Sequence, residues 1–380
     1  MSLFPSHWLR TTNSLRKNDF YHIDISPATK RAADSKILGN FNAYPLIPRY
    51  SGSLETDRHR IGRMTQRNMK IGIVMDPIES ITPYKDSSLA MLLEAERRSA
   101  DIHYFQQQDL KLLSGQAIGH SQRLHVQDDN DDWFELGDSE EIALGTLDAI
   151  LMRKDPPFDM EYVYTTYILD RAREAGALVV NHPQALRDMN EKAYTAWFPE
   201  CTPTTLITRS MSEMKEFLLE HERIVVKPLD GMGGKSIFVI RQGDRNANVI
   251  FETLTDYGQQ FAMAQVYIPE IDVGDKRILL INGEAVPYSL ARIPSADDNR
   301  GNLVMGATGI GQELSAADKA ICEQVGPILR DSGVIFAGID VIGDYLTEVN
   351  VTSPTGIREL DKQFDLNIAG QLFDAIENAT

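Results

Sequence analysis

Three stretches of the sequence hold residue types suited to handling phosphate and carboxylate groups. The first is Val225-Val226-Lys227-Pro228-Leu229-Asp230-Gly231-Met232-Gly233-Gly234-Lys235-Ser236. Its end imitates the phosphate-loop pattern G-x-x-x-x-G-K-[ST], but Leu229 occupies the place of the first glycine. Ser236 to Ile240 also reads as a strand rather than the helix that such a loop feeds. Strand, loop and strand describe a glycine-rich flap, whose backbone amides can approach phosphate oxygens and whose small residues let it open and close. Taken alone, such a loop is more often an ordinary hairpin turn. Lys227 changes that balance, because a charge ending an apolar strand must either snorkel or meet an anion.

The second stretch is Gly338-Ile339-Asp340-Val341-Ile342-Gly343-Asp344-Tyr345-Leu346-Thr347-Glu348-Val349-Asn350. Glu348 and Asn350 are two apart in a strand and so share one face, while apolar neighbours take the other. Oxygen donors in that number suit Mg2+, which takes one or two carboxylates and fills its shell with substrate phosphates and water. A solvated strand face would explain the two residues equally well. Asp340 joins them only if the connecting turn permits it. A plain two-residue Gly343-Asp344 turn pairs Asp340 with Thr347 and puts its carboxylate on the face opposite Glu348. A three-residue loop, or a bulge with the same effect, pairs Asp340 with Glu348 directly, and this second geometry is the one expected. The third stretch is cationic: Arg277 and Arg292 within strands, and Arg300 in Asn299-Arg300-Gly301-Asn302. The guanidinium fork fits phosphate and carboxylate oxygens, although salt bridges to the many acidic residues would account for any one arginine alone.

The elements that must position these residues form a mixed α/β pattern. Met69 to Met75 is a short buried strand, Asp86-Ser87-Ser88 supplies N-cap chemistry for a helix through Leu89 to Ala95, and Ile102 to Phe105 is a second strand, a βαβ start. Leu147 to Met152, the helix Tyr162 to Ala175 and Ala177 to Asn181 extend an open α/β domain over 69–190. Strands Thr204 to Thr208, Arg223 to Lys227 and Ser236 to Ile240, with a helix from Ser212 to Glu220, form a small α+β lid within 191–268. A larger α+β base over 269–380 holds Asp275 to Ile281, Glu284 to Arg292, a helix from Ala316 to Asp331, and the strands Val334 to Ile342 and Tyr345 to Val351.

Length and charge set bounds on this reading. A chain of 380 residues has room for two or three domains. No apolar run reaches the length of a membrane span, so a soluble protein without a membrane partner is expected. The net charge of -17 argues against nucleic acid, whose phosphates call for clustered cations. Cys201 and Cys322 lack metal or disulfide spacing and read as reduced structural thiols. Residues 1–68 differ, with eleven Lys or Arg against five Asp or Glu. They read as a basic N-terminal extension, either translated upstream sequence ahead of a start at Met69 or, as the lesser alternative, an organelle-targeting peptide.

Asp76-Pro77-Ile78, Met152 through Asp159, Asn190-Glu191-Lys192, Lys227 through Gly234 and Thr347 through Thr355 together closely resemble the bacterial glutathione synthetases, from about residue 69 to the end of the chain. The resemblance implies an ATP-grasp fold: an N-terminal open α/β domain, a small lid and a larger base, with ATP bound between lid and base. It implies Lys192, Lys227, Gly231, Met232, Gly233, Gly234, Gln265, Val266, Tyr267, Ile268 and Asp275 for the nucleotide. Asp340, Glu348 and Asn350 would hold Mg2+, or Mn2+ in its place. Arg277 and Arg292 would steady the transferring phosphoryl group, while Lys85, Arg153, Arg300, Ser353, Pro354 and Thr355 would serve the substrate.

The reaction so implied joins γ-glutamylcysteine to glycine with ATP through an acyl phosphate, in a cytoplasmic homotetramer. Another ATP-grasp carboxylate-amine ligase is the first rival reading, and a nucleotide-binding regulatory protein on the same fold the second. One departure stands out: the mobile loop 293–308, which in the family ends Gly-Gly-Arg, ends here in Gly306-Ala307-Thr308 and so lacks a cation.

Overall fold

The computed structural model describes residues 68–231, 234–293 and 308–380, all within one compact unit. The basic segment 1–67, Met232 and Gly233 of the flap, and Arg300, Gly306 and Ala307 of the second loop lie outside the described residues. Among the described residues no helix is long and apolar enough to cross a membrane.

The chain opens with β1 (Lys70–Val74), α1 (Ser87–Arg97), β2 (Asp101–Phe105), β3 (Leu110–Leu113), β4 (Gln116–Val126), β5 (Phe134–Ala143), β6 (Ala149–Met152), α2 (Met160–Glu174), β7 (Leu178–Val180) and α3 (Pro183–Asp188). Strands β2, β1, β6 and β7 run parallel in that spatial order, and β4 joins β2 antiparallel, with β3 and β5 on it. Strand β1 is buried on both faces, as a strand covered by helices must be. Met91, Leu92 and Ala95 of α1 join Ile71 and Ile73 in one core, and Tyr162, Leu169 and Ala172 of α2 join Val74 in the other. The expected cap is present, with Asp86 Oδ1 accepting from Leu89 N at 2.7 Å.

A four-stranded sheet follows, in the order β10-β9-β11-β8, from β8 (Thr205–Thr208), α4 (Met211–His221), β9 (Arg223–Pro228), β10 (Phe238–Arg241), α5 (Ala247–Thr255) and β11 (Ala262–Val266). It has its own core, in which Met214 and Phe217 of α4 and Phe251 of α5 meet Ile224, Val226 and Ala264. The strand after the flap starts at Phe238 rather than Ser236, because Ser236 takes a φ of +58° and still belongs to the turn.

The last sheet, ordered β14-β13-β12-β15-β16, contains β12 (Asp275–Ile281), β13 (Glu284–Ile293), β14 (Thr308–Glu313), β15 (Phe336–Ile342) and β16 (Tyr345–Asn350), with α6 (Ala316–Asp331) between β14 and β15 and α7 (Ile357–Phe364) and α8 (Ile368–Ala379) at the end. Ile321, Val325 and Leu329 of α6 share a core with Ile278, Leu280, Ile339 and Val341. Leu360 of α7 and Leu372 and Phe373 of α8 share the other with Leu279, Ile281 and Phe336. The strands carrying the candidate site are therefore fixed by apolar packing.

Candidate active site on the last sheet

Register brings the charged residues together. Asp340 on β15 pairs with Arg277 on β12 and with Glu348 on β16, while Arg292 on β13 pairs with Asp275 on β12. The connection between β15 and β16 is the tight one, with Ile342 opposite Tyr345 and Gly343 turning at a φ of +57°. A bulge then inserts Thr347, which restores the pairing of Asp340 with Glu348 and keeps both carboxylates on one face. The Thr347 hydroxyl donates to the Asp340 carbonyl at 3.0 Å and pins the bulge.

Arg277 grips Asp340 with two bonds, Nε to Oδ1 at 2.6 Å and Nη2 to Oδ2 at 2.7 Å. Arg292 Nη2 lies 2.8 Å from Asp340 Oδ2, and its Nε donates to Asp275 Oδ1 at 3.0 Å. Burial alone would raise the Asp340 pKa, but Arg277 and Arg292 outweigh it and hold the carboxyl well below the usual range. Asp275 goes the other way, because its burial outweighs the help of Arg292. Gly338, opposite Asn350, makes room for the clamp: a Cβ there would stand 2.9 Å from Arg277 Cδ and 2.9 Å from Pro354 Cβ.

The segment before the lid closes over this face. Lys192, 2% exposed, donates to Glu191 and to the Gly231 carbonyl at 2.6 Å, and its Nζ lies 3.4 Å from Glu348. Asn190 Nδ2 donates to the Leu229 carbonyl at 2.9 Å, so 190–192 holds the base of the flap. Lys227 is buried too, and that burial pushes its ammonium below the ordinary value, against the pull of Glu348. Burial first, and then the nearby Glu348 charge, raise Glu191 to about 7. Further along the lid, Gln265 gives its side-chain amide to Thr205 Oγ1 at 2.9 Å, Ile268 is buried, and the Tyr267 ring lies 3.4 Å under the Arg223 guanidinium.

The candidate substrate residues form an adjoining corner. Buried Arg153 donates to Ser88 Oγ and to the Pro354 carbonyl, both at 3.0 Å, and Ser353 Oγ donates to the Arg153 carbonyl at 3.2 Å. Arg153 Nη1 has no partner among the described residues, which leaves a buried donor for a ligand or water. Because Pro354 touches the space beside Arg277, this corner is continuous with the Asp340 clamp. Lys85 sits in a 3-10 turn, Pro83–Lys85, just before α1, and Thr355 is exposed.

Among the described residues no three His, Cys, Asp or Glu side chains converge as a ready metal cage. Two carboxylates and one carboxamide on neighbouring strands offer oxygen donors only, which fits Mg2+ completed by phosphate oxygens and water. Two contributors went unassigned in the sequence. Glu191 was visible only as the middle of Asn190-Glu191-Lys192. Asn181, buried just past β7, accepts from Ile335 N and Phe336 N at 2.8 and 2.9 Å and donates to the Phe336 and Val351 carbonyls at 2.7 and 2.6 Å.

An anion-handling cluster on the last sheet, under a small lid sheet with a glycine-rich flap, defines an ATP-grasp enzyme. The solved structures that share the fold include D-cycloserine synthetase (TM-score 0.58, 14% identity, 82% of this chain and 100% of that one) and D-alanyl-alanine synthetase A from Vibrio cholerae (TM-score 0.52, 10% identity, 82% and 98%). Residues 69–187 match the prokaryotic glutathione synthetase N-terminal domain and 191–365 its ATP-grasp domain. Over 309 residues the chain is 56% identical to glutathione synthetase of Vibrio parahaemolyticus and 53% identical to that of Escherichia coli K12, in each case over 81% of this chain and 98% of the relative. The chain belongs to the prokaryotic glutathione synthetase family and is an ATP-dependent ligase.

Proposed function

We propose that this chain joins γ-glutamylcysteine to glycine at the expense of ATP, giving glutathione, ADP and phosphate. The observation that carries the reading is the clamp of Asp340 between Arg277 and Arg292, beside Glu348 and Lys192 and continuous through Pro354 with Arg153. One end suits phosphate and the other a substrate carboxylate.

An amine cannot displace oxide from a carboxylate at neutral pH, so the cysteinyl carboxylate first attacks the γ-phosphorus of ATP. The bond from that phosphorus to the ADP oxygen breaks and ADP leaves. The glycine nitrogen then attacks the acyl carbon, the carbon–oxygen bond to phosphate breaks, and phosphate departs as the amine loses its proton. No enzyme nucleophile takes part. Arg277 and Arg292 are held in fixed orientation by Asp340, so charge that develops on the transferring group meets donors already in place. Lys192 and Lys227, both buried, face the nucleotide phosphates, and the 262–268 strand and its exit hold the base. Asp340, Glu348 and Asn350 would hold Mg2+ or Mn2+, which neutralises phosphate charge when bound. The four-stranded sheet acts as the lid that excludes water from the acyl phosphate. Arg153, Ser353, Pro354, Thr355, Lys85 and Arg300 serve the dipeptide, and the enzyme works in the cytoplasm as a homotetramer.

Phosphate release with ATP and Mg2+ tests this reading, with γ-glutamylcysteine and glycine supplied together, singly, and replaced by other dipeptides and amino acids. Release that needs both and yields glutathione supports it. Turnover with another pair only, or ATP binding with no turnover, overturns it.

A further inference from the structure

We infer that Glu191 is a positioning residue that turns the Asn350 carboxamide so that its oxygen, and not its nitrogen, faces the metal and phosphate side of the site. The inference rests on the proposed metal role of Asn350 and adds a residue to which that reading gives no part.

Glu191 is tied to the strand it would serve. Its carbonyl accepts from Val349 N at 2.8 Å, so the residue sits beside β16 between Glu348 and Asn350. One carboxylate oxygen, Oε1, accepts from Lys192 Nζ. The other, Oε2, lies 3.3 Å from the Asn350 amide nitrogen in the orientation that matches donors to acceptors, and the Asn350 oxygen then accepts from Arg277 Nη2 at 3.2 Å. The opposite orientation would set the amide oxygen against the Glu191 carboxylate and its nitrogen against the Arg277 guanidinium, and would offer that nitrogen only a long contact to Asp340 Oδ2, at 3.5 Å. Glu191 and Arg277 therefore fix the rotamer from two sides. A hard cation binds the oxygen of a carboxamide and is repelled by its NH2 group, so the choice of face decides whether Asn350 is a ligand at all. Partners that orient a ligating side chain typically change metal affinity by about 10–100-fold when removed.

The test is Mn2+ binding to the full-length chain with a non-hydrolysable ATP analogue, followed through the electron paramagnetic resonance signal of the free ion, with melting curves to establish that each variant is folded. Glu191→Ala is expected to weaken Mn2+ binding about tenfold. Glu191→Met, which fills the same space without an acceptor, should do the same and stands in if the alanine variant does not fold. Glu191→Gln keeps an oxygen for Asn350 and should retain most of the affinity. In an Asn350→Asp background both outer atoms are oxygens and need no orienting, so Glu191→Ala should weaken the ion far less than it does beside Asn350. An equal loss in both backgrounds would mean that Glu191 acts through its charge or through Lys192, and would overturn the inference. Unchanged Mn2+ affinity in Glu191→Ala and Glu191→Met would overturn it too, while a loss in Asn350→Ala would leave the metal reading intact. If Asn350→Ala also binds Mn2+ normally, the metal reading itself fails and takes the inference with it.

Discussion

Asp340 and Glu348 face each other across a hairpin whose turn is too short to pair them without help, and Thr347 supplies that help as the bulged residue. Its hydroxyl, bonded to the Asp340 carbonyl, is a side-chain tie that holds the extra residue in place. Thr347→Val keeps the shape and removes the bond, at a cost of about 1 kcal/mol, or a fall in melting temperature of about 2–4 °C. Activity should suffer more than stability, by about tenfold in kcat/KM, because the two carboxylates lose their fixed spacing. Thr347→Ser should stay near wild type. Equal, small effects on both variants would show that the strand pairing alone sets the bulge.

The Arg277–Asp340 pair predicts a separation of stability from catalysis. Asp340→Leu leaves the buried Arg277 without its carboxylate and should lose about 3–5 kcal/mol in denaturant unfolding, while Arg277→Met, which leaves Asp340 still bonded to Arg292, should lose less. The double variant should regain most of that stability and none of the activity. Arg277→Lys keeps the charge but cannot reach both carboxylate oxygens with one rigid fork, and should lower kcat/KM by about 100–1000-fold.

What the sequence disclosed depended on how local the signal was. Apolar runs such as Ile71 to Val74, and the long periodic helix Ala316–Asp331, declare themselves within one window and lie where expected. The hairpin of β4 and β5 did not, because β5 exposes Glu135 through Glu140 on both faces and so lacks the alternation that marks a half-buried strand. Within the site, the residue types of Arg277, Arg292 and Asp340 pointed to charge handling, but their mutual clamp depends on register between strands more than sixty residues apart in the case of Arg277 and Asp340. The turn after Ile342 allowed two pairings by sequence, and the bulge that selects one lies within the strand pairing, at Thr347, rather than in the turn. Glu191 carries no local signal because its partners, Lys192 apart, sit on one distant strand, β16.

Asn181 ties the end of β7 to the start of β15 and to the residue after β16 through four hydrogen bonds. Asn181→Ala strands four buried backbone groups and should cost at least about 3 kcal/mol. Val351 leads directly into the Ser353-Pro354 turn that meets Arg153, so the KM for γ-glutamylcysteine should rise more than the KM for ATP. Asn181→Asp still accepts from Ile335 and Phe336 but turns a carboxylate oxygen toward two carbonyls, and should be no better than alanine. A rise confined to the KM for ATP would count against this route.

A pH effect on stability is expected at Asp361 in α7. Burial raises its carboxyl to about 6 from an ordinary value of 3.8, although Oδ1 accepts from Ile368 N at 3.0 Å and that bond pulls the other way. Between those two values the folded chain holds a proton that the unfolded chain has released. Folding stability from this group is therefore full below pH 3.8, falls as pH rises toward 6, and stays lower above it. Asp361→Asn keeps an oxygen for Ile368 and removes the titration. Its melting temperature should exceed that of the wild type at pH 8 by about 1–3 °C, and the gap should close as pH is brought down to 4. Differential scanning fluorimetry across pH 4–8 without ligands measures this directly. A gap that is the same at every pH would place the effect in packing or hydrogen bonding rather than in the charge of Asp361.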